Sequence, residues 1–185
     1  MKQCSFDPVP TWLLKDCIHL LAPFVTSIIN GSLTNGCVPS AFKSAYITTL
    51  LKKSGLVLNE ACNYRPVSIL SFLSKILEKA VSVSRQLDSY LTGAKLFLSH
   101  QSAYRKFLST ETVLLRVTSD LVSHLDKGEV ALMAFLDLSA AFDTVDKEIL
   151  LNRLSTTFGI HCGALKWFRS YLTNRTEYVL FNGVT

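Results

Sequence analysis

Apolar residues recur at helical spacing along most of the chain, with polar residues between them. A first helix is expected from Trp12, with Thr11 as its N-cap, and Pro23 is expected to start a second one that ends near Asn35. The same spacing predicts four further helices: Phe72 to Leu91, Ser109 or Thr110 to Lys127, Lys147 to Phe158, and Ala164 to Leu172.

Other segments show strand patterns. The run SAYITTLLKKSG is rich in β-branched residues and leads into the basic pair Lys52-Lys53. Arg65 directly precedes a proline, which biases its backbone to the extended region. A last strand is expected from Glu177 to Phe181, followed by the hairpin dipeptide Asn182-Gly183. Because only two residues remain for the partner strand, the chain is expected to be truncated within a sheet.

The most apolar run, VALMAFL at residues 130–136, ends on the carboxylate Asp137. It predicts a strand buried on both faces, whereas a lone buried carboxylate costs several kcal/mol or must be neutralised. Asp137 is therefore expected either to cap the next helical turn or to hold a cation at an open sheet end. Phe142, which follows after a short turn, is either a core residue or a flat wall beside a ligand. Taken alone, the pattern favours the cap and the core.

Composition narrows the class of protein. Hydrophobic residues make up 49% of the 185 residues and charged residues 18%, which is typical of a globular domain or part of one. No apolar run reaches the roughly 20 residues of a membrane helix, and the start MKQCSFDPVP has no signal-peptide core. The five cysteines are scattered, which argues against structural zinc and a disulfide framework. An intracellular location, cytoplasm or nucleus, is expected.

The net charge of +5 is unevenly distributed. Residues 1–116 contain 13 Lys and Arg against 6 Asp and Glu, whereas residues 117–185 contain 6 against 8. A basic front and an acidic patch suit a protein that handles polyanions and binds cations. A solvated surface with chance unevenness explains the numbers equally well.

Four stretches in one order resemble a known family. YITTLLKK, NYRPVSIL, QSAYRKFLSTET and LDLSAAFDTVD are together similar to the reverse transcriptase of non-LTR (LINE-type) retrotransposons, over nearly the whole chain from about Phe6. The resemblance implies an α+β, right-hand polymerase fold that copies RNA into DNA. Residues 1–127 would be lead-in helices and fingers, and residues 128–185 a partial palm with an incomplete antiparallel sheet, lacking the rest of the palm and the thumb.

The resemblance also implies a role for individual residues. Asp137 would be the first catalytic carboxylate and would bind both Mg²⁺ ions, which in-line phosphoryl transfer uses as a clamp. Phe142 would be the steric gate that excludes a ribose 2′-hydroxyl. Asp143 and Asp146 follow the gate, and helix capping is at least as good an explanation for them as metal binding.

Basic residues of the finger motifs would contact nucleic acid or nucleotide. Arg65 and Arg105 are expected to contact the incoming deoxynucleoside triphosphate or the template backbone, because a guanidinium pairs well with phosphate. Lys52, Lys53 and Lys106 would be general phosphate contacts. Each of the five has the alternative of a plain surface charge. The expected partners are an RNA template and a DNA primer.

The sequence also departs from the family pattern. No Asp-Asp pair occurs anywhere, so the family's second metal-binding element, an aromatic-x-Asp-Asp turn, is missing, as is its Gly-rich motif. One of three carboxylates cannot hold two Mg²⁺ ions roughly 3.5–4 Å apart. The chain as given is therefore expected not to polymerise DNA. Ala103 stands where the family usually has glycine, and Tyr104 where it usually has phenylalanine.

Two alternatives remain. A non-enzymatic nucleic-acid-binding remnant of a retroelement would keep the basic residues without catalysis. A helical interaction module without a nucleic-acid role is permitted by the Leu-rich helices, but it leaves the spacing of Arg65, Arg105, Asp137 and Phe142 unexplained.

Overall fold

The computed structural model describes residues 7, 9–83, 86–138 and 141–179, which form two compact units. Unit 1 combines Met1–Ser89 with Asp146–Thr185, and unit 2 is Tyr90–Val145. Unit 1 contains the sheet and most of the helices, whereas unit 2 is built around one long helix. The chain is thus mixed α and β. The right-hand polymerase fold and the boundary at residue 127 stay predictions.

Two helices begin unit 1, α1 at Thr11–Asp16 and α2 at Ile18–Asn35. The expectation that Pro23 starts the second helix is wrong, because the break lies at Cys17 and Pro23 lies inside α2. Pro23 is the sixth residue of α2, so its missing N–H deprives one carbonyl, that of His19, of its usual intrahelical donor. Gly36 ends α2 in the left-handed conformation, with φ of 58°.

The three-stranded sheet has the order β2-β1-β3. Strand β1 (Ser44–Leu51) pairs antiparallel with β2 (Tyr64–Leu70) and parallel with β3 (Thr176–Val179). The 3₁₀ turns Ser40–Phe42 and Ala61–Asn63 precede β1 and β2. The predicted strands at β1, at Arg65 and from Glu177 are thereby confirmed within the described residues. The hairpin signal Asn182-Gly183 lies outside them.

The remaining helices of the chain follow the predicted order. The helix expected from Phe72 to Leu91 is confirmed on both sides of residues 84–85, which lie outside the described residues. The helix bounds are α3 at Phe72–Val83, α4 at Gln86–Gly93, α5 at Thr110–Asp126, α6 at Lys147–Thr156 and α7 at Cys162–Leu172. Over the described stretches, no helix combines the length and apolar character that crossing a membrane requires.

The core of unit 1 is centred on Trp167 of α7. Its side chain is 4% exposed and packs with Val38 and with Leu77 of α3. The indole Nε1 donates to Ser32 Oγ of α2 at 3.0 Å, and that hydroxyl donates to the Cys37 carbonyl at 2.7 Å. Every polar atom brought into this core therefore has a partner, as buried polar groups require.

Tyr171 extends the core toward α3. Its ring stacks on Trp167 with centroids 5.3 Å apart, and its hydroxyl donates to Glu78 Oε1 at 2.5 Å. Burial, together with the neighbouring Glu78 carboxylate, raises the pKa of Tyr171 to about 12. The phenol is therefore neutral and remains a donor at physiological pH.

Unit 2 is organised by α5. Ser109 and Thr112 form a reciprocal capping box at its start: Thr112 N donates to Ser109 Oγ at 3.4 Å and Ser109 N to Thr112 Oγ1 at 2.9 Å. Gly128, with φ of 75°, follows the end of the helix. The predicted cap at Ser109 and the stop at Lys127-Gly128 are confirmed.

The strand predicted at residues 130–136 is wrong. Residues 129–138 form neither helix nor strand, and Val130 and Leu136 are 99% and 94% exposed. The physical reason is that a strand needs a hydrogen-bonded partner, and the described part of unit 2 contains no strand that could pair with it. The antiparallel palm sheet is likewise not formed by the described residues, since the sheet is mixed and joins β3 to β1.

Replacing Trp167 with alanine should lower the free energy of unfolding by roughly 3–5 kcal/mol, because it removes a buried ring and leaves a cavity. Trp12, an exposed tryptophan on α1, is the matched control, and Trp12→Ala should change stability by less than about 1 kcal/mol. Urea unfolding followed by circular dichroism measures both. Equal losses in the two variants would contradict the assignment of the core.

Candidate catalytic carboxylate and nucleic-acid contacts

Asp137 lies in the exposed segment that follows α5. Its neighbours Leu136 and Leu138 are exposed with it, so the carboxylate is not buried by the apolar run that precedes it. Asp137 also caps none of the described helices, since the next one, α6, begins ten residues later at Lys147 and has Asp146 as its N-cap. A cap by Asp137 on the turn that follows directly would involve residues 139 and 140, which lie outside the described residues, so the capping role and the metal role both stay predictions.

The described residues do not make up a magnesium site. Within residues 7, 9–83, 86–138 and 141–179, no three His, Cys, Asp or Glu side chains are grouped so that they could hold a metal ion. A Mg²⁺ ion in a polymerase is bound by one or two carboxylates plus substrate phosphate oxygens, and a second ion needs further carboxylates. Asp137 alone does not meet that requirement.

Phe142 belongs to the turn at residues 141–144, where Thr144 Oγ1 donates to the Ala141 carbonyl at 3.4 Å. Its ring is 79% exposed, so the alternative that Phe142 is a core residue is wrong. An exposed ring is available to a ligand. The gate role stays a prediction.

Asp146 has a structural role. Its Oδ1 accepts hydrogen bonds from the backbone N–H groups of Glu148 and Ile149, both at 2.9 Å, at the start of α6. Glu148 in turn accepts from Arg169 Nη1 of α7 at 2.8 Å, on the surface of unit 1. The capping interpretation of Asp146 is therefore confirmed.

Three of the predicted phosphate contacts lie at one end of the β1–β2 pair in unit 1. Arg65 is opposite Leu50 in the register, and the backbone N–H of Lys52 donates to the Asn63 carbonyl at 2.8 Å. Lys53 is the next residue of the same turn. All three basic side chains are exposed, which leaves their charges accessible to a polyanion.

The other two predicted contacts, Arg105 and Lys106, are in unit 2. The Arg105 guanidinium carbon lies 4.1 Å from the centroid of the Phe97 ring, a cation–π geometry, and its Nη1 is a buried donor with no hydrogen-bond partner. Lys106 is exposed, and its Nζ lies 4.8 Å from the centroid of the Phe107 ring. The Arg105 guanidinium thus contacts the face of an aromatic ring. A count of basic residues in the sequence does not reveal this contact.

Sequence reasoning missed the aromatic residues around these two cations. Tyr104 and Phe107 flank the pair, are 91% and 87% exposed, and have φ of 59° and 64°. The signal that could have found them is the alternation Tyr-Arg-Lys-Phe, in which rings and positive charges share one short exposed stretch.

Comparison with known proteins matches this chain to one family and to related proteins. The family described as "Reverse transcriptase (RNA-dependent DNA polymerase)" matches residues 51–184. The "RNA-directed DNA polymerase from mobile element jockey" of Drosophila melanogaster is 31% identical over 163 residues, 86% of this chain and 17% of the relative. The "Probable RNA-directed DNA polymerase from transposon BS" of the same species is 29% identical over 82% of this chain and 16% of its own length. The chain thus spans about a sixth of these relatives.

Asp146→Ala should lower the free energy of unfolding by about 0.5–2 kcal/mol, because two N–H groups at the start of α6 lose their acceptor. Asp146→Asn should restore most of the loss, since asparagine caps equally well. Asp143→Ala is the matched control and should be nearly neutral. Urea unfolding with and without Mg²⁺ separates the two roles: a loss that appears only with Mg²⁺ would contradict the cap.

Proposed function

Because the chain belongs to the reverse transcriptase (RNA-dependent DNA polymerase) family, we propose that it forms the fingers and first half of the palm of an RNA-directed DNA polymerase. The resemblance to non-LTR retrotransposon enzymes that the sequence predicts is confirmed at the level of the family. The proposed boundary between the two regions is residue 127.

One observation carries this proposal. The family match over residues 51–184 includes, in order, Arg65, Arg105, Asp137 and Phe142, the residues to which the resemblance gives nucleotide and metal roles. The matched region also includes the exposed basic turn after β1. In the proposed enzyme, the template would be RNA, and deoxynucleoside triphosphates would extend a DNA primer.

Each site residue has a proposed task. Asp137 would supply one of the carboxylates that hold Mg²⁺, which would stabilise the charge of phosphoryl transfer, and Phe142 presents its ring to the sugar of the incoming nucleotide. Lys52, Lys53 and Arg65 contact phosphates in unit 1, and Arg105 and Lys106 do so in unit 2. Since the 185 residues contain no Asp-Asp pair, this chain by itself has too few carboxylates for synthesis.

The second candidate is binding of nucleic acid without catalysis. It is favoured by the exposure of Lys52, Lys53 and Arg65 at one end of β1 and β2, because accessible cations bind phosphates without a catalytic centre. Both candidate functions require binding of nucleic acid. They differ only in whether further carboxylates complete the metal site.

The 185-residue chain should bind single-stranded RNA with an affinity that falls as salt rises. Each phosphate contact contributes a slope of about −0.7 in a plot of log K against log salt concentration. The double variant Lys52→Ala/Lys53→Ala should weaken binding and reduce the slope by about 1.4. Fluorescence anisotropy between low and high salt measures both.

The matched control for this charge removal is Lys15→Ala/Lys79→Ala, which removes two exposed lysines outside the proposed contacts. It should leave the slope nearly unchanged. A flat salt dependence of the wild-type chain, or equal effects of the two double variants, would overturn the proposed phosphate contacts.

In a longer polypeptide that joins this segment to an aromatic-x-Asp-Asp motif, Asp137→Ala should abolish primer extension with Mg²⁺. Phe142→Ala should instead retain synthesis and incorporate ribonucleotides, because the ring no longer fills the space of the 2′-hydroxyl. Primer extension with deoxynucleotides and ribonucleotides in parallel distinguishes the two. Synthesis that survives Asp137→Ala, or discrimination that survives Phe142→Ala, would refute the respective role.

A further inference from the structure

Unit 2 contains a groove of about 510 Å³ at the N-terminal end of α5. One side is the loop that carries Tyr104, and the other side is the first turn of the helix. Eight residues line it: His100, Ser102, Ala103, Tyr104, Leu108, Ser109, Thr110 and Val113. Its size is within the range of small-ligand sites, and no residue among the predicted nucleotide contacts lines it.

Tyr104 is the aromatic wall of the groove. It is 91% exposed, and its backbone is in the left-handed region with φ of 59°, where a non-glycine residue is uncommon and strained. An aromatic ring placed on such a backbone and left outside any core gains nothing from burial. A flat ring at the mouth of a groove is, however, the side chain on which a planar ligand stacks.

The rest of the lining combines polar and apolar side chains. The hydroxyls of Ser102 and Thr110 and the imidazole of His100 supply donors and acceptors, whereas Leu108 and Val113 supply apolar contacts. A nucleobase needs this combination, because its faces are apolar and its edges carry donors and acceptors. The chemistry of the lining therefore fits an unpaired base.

The charge of the surrounding chain supports the same ligand. Residues 90–110 contain Lys95, Arg105 and Lys106 and no Asp or Glu. Arg105 and Lys106 directly follow the ring of Tyr104, so a base stacked on that ring would have its phosphates near positive charge. Non-specific binding of single strands combines cations along the backbone with aromatic rings under the bases.

We propose that this groove binds an unpaired base of single-stranded nucleic acid, with Tyr104 as the stacking platform and Lys106 as the adjacent phosphate contact. The proposal rests on the proposed function, since it names a base-binding site on a chain that is proposed to hold RNA. Phosphate contacts do not distinguish paired from unpaired bases. The groove would add this distinction.

The probe is a single-stranded RNA of about 12 nucleotides, which is within the site sizes of single-strand-binding domains, with one base replaced by fluorescent 2-aminopurine. Stacking on Tyr104 should quench the fluorophore when the full 185-residue chain is added. Tyr104→Ala should weaken binding by roughly 5- to 100-fold and abolish the quenching, whereas Tyr104→Phe should retain both. Binding of the same sequence as a duplex should not respond to either variant.

Trp12→Ala is the matched control, because Trp12 is also an exposed aromatic residue but lies on α1 of unit 1 and does not line the groove. It should change the affinity by less than about 2-fold, as an exposed ring without a stacked base contributes little. Circular dichroism should show unchanged helix content in all three variants, since neither side chain is buried.

The outcomes separate the two proposals. If Tyr104→Ala binds and quenches like the wild type while the salt dependence is normal, the groove proposal is wrong and the phosphate contacts stand. If Trp12→Ala is as damaging as Tyr104→Ala, the groove is not the binding element, and the proposal is also wrong. If the wild-type chain binds no single strand at low salt, both the groove and the proposed function are overturned.

Discussion

The burial of Trp167 holds together segments from the two ends of the chain. Its ring packs with Val38 and Leu77, and its N–H is satisfied by Ser32, so α7 is fixed against α2 and α3 by apolar contact and a hydrogen bond. Strand β3 follows α7 and pairs with β1, where Thr176 N donates to the Lys43 carbonyl at 3.2 Å. The β1–β2 pair that presents Lys52 and Arg65 is therefore built on a core that the sequence completes only near its end.

The two units differ in how their residues are supported. The basic residues of unit 1 are on paired strands, whereas Asp137 and Phe142 of unit 2 lie in exposed chain without helix or ladder. A carboxylate can hold a metal for catalysis only if its backbone is fixed to within a fraction of an ångström. Family membership thus indicates which residues have proposed roles in catalysis. The local structure shows that, among the described residues, Asp137 belongs to no helix or strand that would fix its position.

The parts of the fold that were predicted correctly depend on local signals. Ser109 at the start of α5, Gly36 after α2 and the β-branched run of β1 each determine structure within a few residues, and the structure agrees with all three. The errors involve tertiary partners. Residues 130–136 have the composition of a buried strand but no strand to pair with, and the parallel pairing of β3 with β1 joins segments more than a hundred residues apart, which no local pattern encodes.

For the candidate site as well, the sequence predicts local features but not tertiary contacts. The resemblance could name Arg65, Arg105, Asp137 and Phe142 because motif spacing is a property of the sequence. It could not show that Arg105 lies over Phe97, or that Tyr104 faces a groove, since both depend on how the loop before α5 folds. The cap formed by Asp146 was one of two open alternatives, and only its hydrogen-bond geometry decides between them.

The discontinuity of unit 1 affects how the chain folds during synthesis. The ribosome makes α2 and α3 before α7, so Ile29, Leu77 and Val81, which pack in the cluster around Trp167, lack that partner until α7 emerges, with all of unit 2 translated in between. At roughly 5–20 residues per second this interval lasts several seconds, far longer than the collapse of a small chain. A nascent chain of this protein therefore exposes apolar surface for several seconds, which is long enough for a chaperone to bind it.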